Sequence, residues 1–482
     1  MRRFAALSCL LLVGAAPPTS PDAKLRAIVA PVSAARMKAT VETLVSFGTR
    51  HTLSSQTDPK RGIGAALDWT QGQFRELGLP TERPCDTFTG DRIPQPTRIC
   101  DMVAIQRGTE RPNDVVIITG HIDSRVTDPL DAVKDAPGAN DDGSGSAAVL
   151  EAARVLSKHK FPGTIVYSLD SGEEQGLYGA KVIAAYAKAQ GWNVIADLNN
   201  DIIGNSLGSD GVRDDTHVRI FSEGPRWQGH EELAKQIRSF GGENDSPGRN
   251  LSRFLDGLAD RLNIGLDVRQ IWRNDRFGRG GDHTEFLNLG FPAVRFTVAV
   301  ENYNWQHQDL RTEKGIKYGD TVENMDFPYL AKVAKLNIAA LAAIASAPPP
   351  PEVFVEGAVS NGTTVKFRLP AGAPGVGVGF QPQRNIAHPE LRNVTIYCRR
   401  TDAPNWSKGP TKCSLAGTWT FSTTWTKKLP DGGVEMRADL EKMRIDDWIF
   451  GASVTQFGFE SPVASAVPGG AFKPYVAPPP PK

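Results

Sequence analysis

Hydrophobic and polar residues repeat with two different periods along this chain. From residue 114 to residue 345, short apolar runs rich in β-branched residues alternate with longer stretches whose apolar residues recur every three or four positions. The short runs predict strands at residues 115–119, 164–169, 194–199, 218–221 and 293–298. The longer stretches predict helices at residues 146–158, 177–189, 229–240 and 330–344. This alternation is typical of an α/β domain with a mixed, largely parallel sheet sandwiched by helices, which we place at residues 23–346.

A proline-rich linker at residues 347–351 separates this region from one with a different pattern. Beyond it, short alternating segments predict strands at residues 364–368, 394–397, 418–422, 434–440 and 448–455. Turn residues separate these segments, and no helical period is visible. We therefore expect a small all-β sandwich at residues 352–470, followed by a disordered proline-rich tail at residues 471–482.

The N-terminus has the pattern of a signal peptide at residues 1–16. Two arginines precede an apolar run, small residues follow it, and Pro17-Pro18 comes next. A buried N-terminal helix is the alternative, which the two prolines disfavour. The apolar run is too short to span a bilayer, and no other stretch qualifies, so we expect no integral membrane segment after signal removal. The protein is expected to be exported, either periplasmic or secreted.

Composition adds two constraints. The 482 residues include 55 basic and 54 acidic side chains without a basic stripe, which argues against a nucleic-acid partner. Four cysteines remain after the signal segment, and they allow three pairings. The near pairs Cys85–Cys100 and Cys398–Cys413 are favoured in an exported protein, and four reduced buried thiols are the alternative.

Acidic and histidine side chains follow the predicted strands at the points where the strands end. His121 and Asp123 follow one strand, Glu173 and Glu174 follow the next, and Asp201 follows the third. In open α/β sheets, ligands bind at the carboxyl ends of the strands. Imidazole and carboxylate groups without cysteine suit a catalytic zinc, manganese or cobalt site. Each residue alone has an ordinary explanation as a helix cap, a turn residue or a solvated charge, so the prediction rests on their joint occurrence.

Several motifs together resemble the co-catalytic zinc aminopeptidases. They are His121-Ile-Asp-Ser, Pro137-Gly-Ala-Asn-Asp-Asp-Gly-Ser-Gly, Glu173-Glu-Gln-Gly-Leu, Asn199-Asn-Asp and Gln306-His-Gln-Asp, with a weaker match at Phe47-Gly-Thr-Arg-His. The family includes bacterial secreted leucyl aminopeptidases and, more distantly, glutamate carboxypeptidase II. Glutaminyl cyclases and the non-catalytic transferrin receptor share its fold. The resemblance covers roughly residues 35–345 and makes residues 23–346 a zinc peptidase domain.

The resemblance implies a role for each site residue and two Zn²⁺ ions per chain. His121 and Asp201 would complete one zinc site, Glu174 and His307 the other, and Asp141 would bridge both. Glu173 would be the general base, and Asp123 would accept the second ring N–H of His121. His283 lies in a family landmark but would not bind metal. No tyrosine matches the family's oxyanion donor, and Arg276, Arg279, Tyr303 and Gln306 are candidates for that role.

These expectations describe an exported metallo-aminopeptidase acting on peptides with a free N-terminus. Two alternatives remain open. The same fold could serve as a glutaminyl cyclase or a carboxypeptidase-type enzyme, or as a catalytically dead binding protein. A cyclase would need only one zinc ion, so the full set of ligands argues against it, and a dead protein should have lost ligands or the base, whereas this chain has lost none. The C-terminal segment at residues 449–462 resembles the end of a fibronectin type III-like module, whose role the sequence does not indicate.

Overall fold

A computed structural model describes residues 20–224, 231–369, 394–408, 423–467 and 470–471. Its first part contains strands β1 (Thr81–Glu82), β2 (Cys85–Gly90), β3 (Ile93–Cys100), β4 (Met102–Gln106), β5 (Arg111–His121), β6 (Gly163–Asp170), β7 (Asn193–Asn200), β8 (His217–Phe221), β9 (Asp267–Ile271), β10 (Ala293–Val298), β11 (Arg311–Glu313) and β12 (Ile316–Tyr318). Its helices are α1 (Pro21–Val29), α2 (Ala34–Ser46), α3 (Ile63–Glu76), α4 (Gly143–Leu156), α5 (Glu173–Gly176), α6 (Tyr178–Ala189), α7 (Glu231–Phe240), α8 (Pro247–Leu262), α9 (His283–Asn288) and α10 (Phe327–Ser346), with a 3₁₀ turn at Val322–Asn324.

Eight strands form one mixed sheet in the order β1-β4-β6-β5-β7-β10-β8-β9. The central strands β6, β5, β7 and β10 are parallel. Strand β4 is antiparallel to both β1 and β6, whereas β8 is antiparallel to β10 and parallel to β9. The predicted fold class and all five predicted strands of this part are confirmed. The edge strands β1 and β9, and the inner strand β4 beside β1, were not predicted.

Side chains of the central strands are buried on both faces of the sheet. In β5, Val116 and Ile118 join the larger apolar core, whereas Val115 and Ile117 join a second core on the opposite face. Burial on both faces explains why this strand is a continuous apolar run in the sequence. Helices α2, α4 and α10 pack on one side of the sheet, and α6 and α9 pack on the other.

Helix α10 is the one helix in the described part that is long and apolar enough to cross a membrane, a property the sequence analysis missed. Most of its twenty residues are buried, because it packs against α1, α2, α4 and α8. The helix predicted at residues 229–240 is observed as α7, and residues 225–230 lie outside the described part. Helix α8 was not predicted.

The C-terminal part is a sandwich of two antiparallel sheets. Its strands are β13 (Glu352–Glu356), β14 (Thr363–Leu369), β15 (Val394–Arg400), β16 (Ser407–Lys408), β17 (Thr423–Lys428), β18 (Val434–Leu440), β19 (Trp448–Gln456), β20 (Phe459–Glu460), β21 (Ala464–Val467) and β22 (Gly470–Ala471). The sheets have the orders β13-β14-β18-β17 and β16-β15-β19-β21-β22, and they enclose their own apolar core. The predicted all-β sandwich is confirmed. The predicted strand at 418–422, the signal segment and residues 472–482 lie outside the described residues.

Helix α8 and the residues just before it connect the two parts through buried polar contacts. The guanidinium of Arg399 on β15 donates to both oxygens of Asp245, at 2.7 and 2.8 Å. Arg253 on α8 lies between two indole rings, 5.1 Å from the centroid of Trp272 and 5.9 Å from that of Trp406. The sandwich is therefore joined to the α/β part by side-chain contacts as well as by the linker.

Strands β2 and β3 form a hairpin beside the main sheet. The predicted disulfide between Cys85 and Cys100 closes its open end, where the two residues are register partners. Cys413 lies outside the described residues, so its pairing with Cys398 stays a prediction.

Candidate metal centre

Three neighbouring parallel strands end at the same edge of the sheet and bring the predicted residues together. His121 is the last residue of β5, Glu173 and Glu174 follow the end of β6, and Asp201 follows β7 directly. The strands β6, β5 and β7 are adjacent, so their carboxyl ends converge. The loop before α4 adds Asp141, and the loop after β10 adds His307.

These side chains form two groups that share one carboxylate. His121 Nε2 lies 3.1 Å from Asp141 Oδ1 and 3.9 Å from Asp201 Oδ1. On the other side, His307 Nε2 lies 2.8 Å from Asp141 Oδ2 and 3.1 Å from Glu174 Oε1. The ligand atoms of each group lie within 4.8 Å of one another, a spacing suited to holding a cation. Asp141 turns a different oxygen to each group.

The hydrogen bonding of these atoms fits metal ions. Within the described residues, His121 Nε2, Glu174 Oε1 and Asp201 Oδ1 are buried and have no hydrogen-bond partner apart from the histidine–carboxylate contacts inside the two groups. Buried polar atoms without partners are costly and rare in proteins. Here three of them point into the two groups, as metal ligands must. The donors are nitrogen and carboxylate oxygen, a set that zinc accepts in catalytic sites.

Backbone contacts fix the loop that carries Asp141. Asp320 accepts hydrogen bonds from the backbone N–H groups of Asn140 and Asp141, at 2.9 and 2.7 Å. Asp142 is the N-cap of α4 and accepts from Gly145 N at 2.8 Å, and its second oxygen accepts from His121 N at 3.1 Å. Asp142 thus caps helix α4 and also connects the start of α4 to the end of β5.

Asp123 supports the site mainly through backbone groups. Its carboxylate accepts from the N–H groups of Glu173 and Glu174, at 3.2 and 3.3 Å. The ring Nδ1 of His121 lies 3.1 Å from the backbone carbonyl oxygen of Asp123 and 3.4 Å from its carboxylate. The closer partner of the ring is therefore the carbonyl and not the carboxylate that the resemblance implies. Burial opposes ionisation of Asp123, but its hydrogen bond with His121 and the charge of that residue outweigh burial and lower its pKa.

Glu173 lies beside both groups without belonging to either. It begins the single turn α5, whose N-cap Gly172 has the left-handed backbone (φ 76°) that glycine adopts most easily. Burial raises the pKa of Glu173 to about 8, with further increases from Asp201, Glu174 and Asp141 against the opposing effect of His121. The carboxyl group therefore holds a proton more tightly than an exposed glutamate does.

Arginines contact the outer oxygen of each terminal carboxylate, a feature the sequence analysis missed. Arg125 Nε donates to Glu174 Oε2 at 2.8 Å, and the buried Arg295 lies 2.8 Å from Asp201 Oδ2. Each carboxylate thus turns one oxygen to its ligand group and the other to a guanidinium. Arginine is common on protein surfaces, so neither residue carries a recognisable sequence signal.

Arg50, which the sequence analysis named only within a weak motif, holds two loops of the site together. Its buried guanidinium donates to the carbonyl oxygens of Ile122, Pro137 and Gly138, at 2.7, 2.7 and 2.9 Å. It therefore joins the segment after His121 to the loop before Asp141. Burial lowers the pKa of Arg50 to about 10.

The four candidates for an oxyanion donor differ in position. Gln306 is buried, and its Nε2 lies 3.4 Å from Asp141 Oδ2. Arg276 is paired with Glu301 at 3.1 Å, Arg279 lies 3.4 Å from Gln306 Oε1, and Tyr303 is exposed. Gln306 is the one of the four with a recorded contact to a ligand carboxylate. His283 belongs to neither group, and its Nε2 lies 2.9 Å from the carbonyl oxygen of Asn274.

Comparisons with known proteins identify the family. The model of peptidase family M28 matches residues 101–330. A probable zinc metalloprotease of Leptosphaeria maculans is 45 % identical over 357 residues, which cover 72 % of this chain and 83 % of the relative. A probable zinc metalloprotease of Pyricularia oryzae is 40 % identical over 463 residues, 93 % of this chain and 85 % of the relative. The LapA aminopeptidase of Legionella pneumophila has the same fold, with a TM-score of 0.50 at 19 % identity over 70 % of this chain and 78 % of that one.

The mixed sheet and its two histidine–carboxylate groups define a hydrolase of the zinc metalloprotease class. The chain belongs to peptidase family M28. The family resemblance read from the sequence is confirmed.

Proposed function

We propose that this protein is an exported dinuclear zinc aminopeptidase, which removes N-terminal residues from peptides one at a time. The observation that carries the proposal is the sharing of Asp141 between two groups, each completed by one imidazole and one further carboxylate. Two divalent cations held by a shared carboxylate are the arrangement of two-metal hydrolytic sites. In this proposal His121, Asp141 and Asp201 hold one zinc ion, and Asp141, Glu174 and His307 hold the other.

The chain's own residues supply the proton transfers. Two zinc ions held by these residues would lower the pKa of a water molecule and polarise the scissile carbonyl. Glu173 takes the proton of that water as it attacks, and it passes the proton to the departing amine. Asp123 positions Glu173 through its backbone N–H.

Selection for a free N-terminus follows from the proposed chemistry of the site. A bound zinc ion or an acidic side chain can hold a free α-amine, and acetylation removes both the charge and the lone pair of that amine. The acetylated substrate would leave buried polar groups of the site unpaired, which is a strong basis for rejection. We therefore propose peptides with a free, apolar N-terminal residue as substrates.

The test is a matched panel of peptides assayed with the zinc-loaded protein, with and without a chelator. Two zinc ions per chain by elemental analysis, stepwise trimming of the free peptide, and resistance of its N-acetyl counterpart are expected. Residues released from the C-terminal end would instead favour a carboxypeptidase. Cyclisation of an N-terminal glutamine with one zinc per chain would favour a glutaminyl cyclase.

Export belongs to the proposal because residues 1–16 have the pattern of a signal peptide. The test is N-terminal sequencing of the protein recovered from outside the cytoplasm of its host. We expect a mature chain that begins shortly after Ala16. A protein that stays in the cytoplasm with Met1 in place would contradict export and leave the enzymatic proposal unaffected.

A further inference from the structure

The hairpin of β2 and β3 lies beside the segment that carries Glu173 and Glu174. The Cys85–Cys100 disulfide closes the open end of the hairpin. Helix α6, which follows α5 directly, packs against both hairpin strands. The hairpin contacts the segment from residue 171 to residue 178 at both of its ends.

At the closed end, two hydrogen bonds fix the chain just before the proposed base. Ser171 Oγ donates to the carbonyl oxygen of Cys100 at 2.8 Å. Ser171 N donates to the carboxylate of Asp101, the next residue, at 2.9 Å. Ser171 and Asp101 are buried, so water does not compete for these bonds. The disulfide therefore fixes the end of β3. Ser171, two residues before Glu173, is hydrogen-bonded to that end.

At the tip, the hairpin reaches the backbone of Glu174 itself. Arg92 Nη1 donates to the carbonyl oxygen of Glu174 at 2.8 Å. Beside it, the ring of Phe88 packs on the ring of Tyr178, with centroids 4.7 Å apart. A Cβ atom on Gly90 would come within 2.3 Å of the Tyr178 hydroxyl, so a larger residue there would have to displace the end of the Tyr178 side chain.

The segment between these contacts has little support of its own. Helix α5 is one turn of four residues, and both flanking residues, Gly172 and Leu177, have left-handed backbones, with φ of 76° and 59°. A single helical turn is not stable in isolation, and the left-handed region is unfavourable for leucine. Asp123 binds the N–H groups at the start of this turn, and Arg92 binds a carbonyl further along it.

We propose that the disulfide-closed hairpin is a positioning element for Glu173 and Glu174, and that Arg92 is the positioning residue at its tip. The inference rests on the proposed function, in which Glu174 binds one zinc ion and Glu173 is the base. Loosening either end of the hairpin would let Glu174 move away from the Asp141–Glu174–His307 group. The group with His121 and Asp201, which the hairpin does not contact, would be unaffected.

The experiment follows the release of zinc from the loaded full-length protein to an excess of a chromogenic chelator. The variants are Arg92→Met and the double variant Cys85→Ser/Cys100→Ser. The disulfide is removed by substitution and not with a thiol reductant, because thiol reductants bind zinc themselves. We expect one of the two zinc equivalents to leave about ten- to a hundred-fold faster, the range typical for loss of a residue that supports a ligand. The second equivalent should leave at the wild-type rate, and Arg92→Lys should restore most of the difference.

Arg98→Met is the matched control. Arg98 is an exposed arginine on β3 of the same hairpin, and within the described residues its guanidinium has no recorded hydrogen bond or ion pair. We expect it to release zinc as the wild type does. The inference is overturned if Arg92→Met and the double variant keep wild-type release rates, or if Arg98→Met is equally fast. Zinc release needs no peptide, so the result is independent of whether the proposed substrates are correct.

Discussion

The buried ion pair between Asp245 and Arg399 gives a quantitative prediction for the contact between the two parts of the chain. Both side chains are only 2 % exposed. Two more guanidiniums, those of Arg249 and Arg253, lie nearby, and burial lowers the pKa of each to about 10. Asp245 thus supplies negative charge to a region where positive charge is concentrated.

Asp245→Asn keeps the size of the side chain and removes its charge. Arg399 would then be buried without a compensating carboxylate, and removal of one partner of a buried pair typically costs about 3–5 kcal/mol. We expect a loss near the lower limit, about 3 kcal/mol, because the asparagine oxygen still accepts one hydrogen bond. The double variant Asp245→Asn/Arg399→Met should lose less than the single variant, because the charge of Arg399, the direct partner of Asp245, is removed as well.

The assay is urea unfolding followed by tryptophan fluorescence, since Trp272 and Trp406 lie at this contact. Asp135→Asn is the control, because Asp135 pairs with Arg61 on the surface and such pairs contribute less than about 1 kcal/mol. A loss below about 1 kcal/mol for Asp245→Asn, or a double variant less stable than the single one, would refute the reasoning.

Three further predictions concern the centre and its surroundings. Glu173→Gln should keep both zinc ions but lower kcat by about 10²–10⁴-fold, whereas loss of zinc would identify Glu173 as a ligand. Burial lowers the pKa of His283 to about 4, below its unfolded value of about 6.5, so stability should fall as the pH drops from about 6.5 towards 4. The free energy of unfolding of the wild type should therefore decrease between pH 7 and pH 5. In His283→Gln this decrease should be smaller by about 2 kcal/mol, as measured in the presence of chelator. A decrease equal to that of the wild type would contradict the prediction. A chain ending at Ala347 should still bind zinc, because all ligands precede it, but should unfold at lower urea concentration. A soluble shortened chain without zinc would show that the sandwich completes the site.

The positions at strand ends were predictable from the sequence for a physical reason. Parallel strands place their carboxyl ends at one edge of the sheet, so His121, Glu174 and Asp201 could be grouped without knowledge of the strand order. His307 could not be found in this way, because it lies in a long loop after β10 and has a left-handed backbone with φ of 55°. It was expected only through the family resemblance.

The roles of the supporting residues could not be predicted from sequence patterns. Arg50, Arg92 and Asp320 act on backbone carbonyl or N–H groups, which every residue has, so their partners leave no trace in the sequence. Helix α8 is a different case. Its buried residues Leu251, Leu255, Leu258 and Leu262 recur at helical spacing, so the sequence carried a signal for this helix that the predictions did not use.

The sharing of Asp141 has a consequence for engineering the centre. Asp141 belongs to both ligand groups, whereas Asp201 and Glu174 each belong to one. A protein with a single metal position therefore cannot be made by changing Asp141, because that substitution removes a ligand from both groups at once. Changing Asp201 leaves the Asp141–Glu174–His307 group complete, and changing Glu174 leaves the His121–Asp141–Asp201 group complete. Under the proposed function, each of these single substitutions would give a protein that binds one ion, and the two proteins would allow the reactivity of either half to be compared with that of the pair.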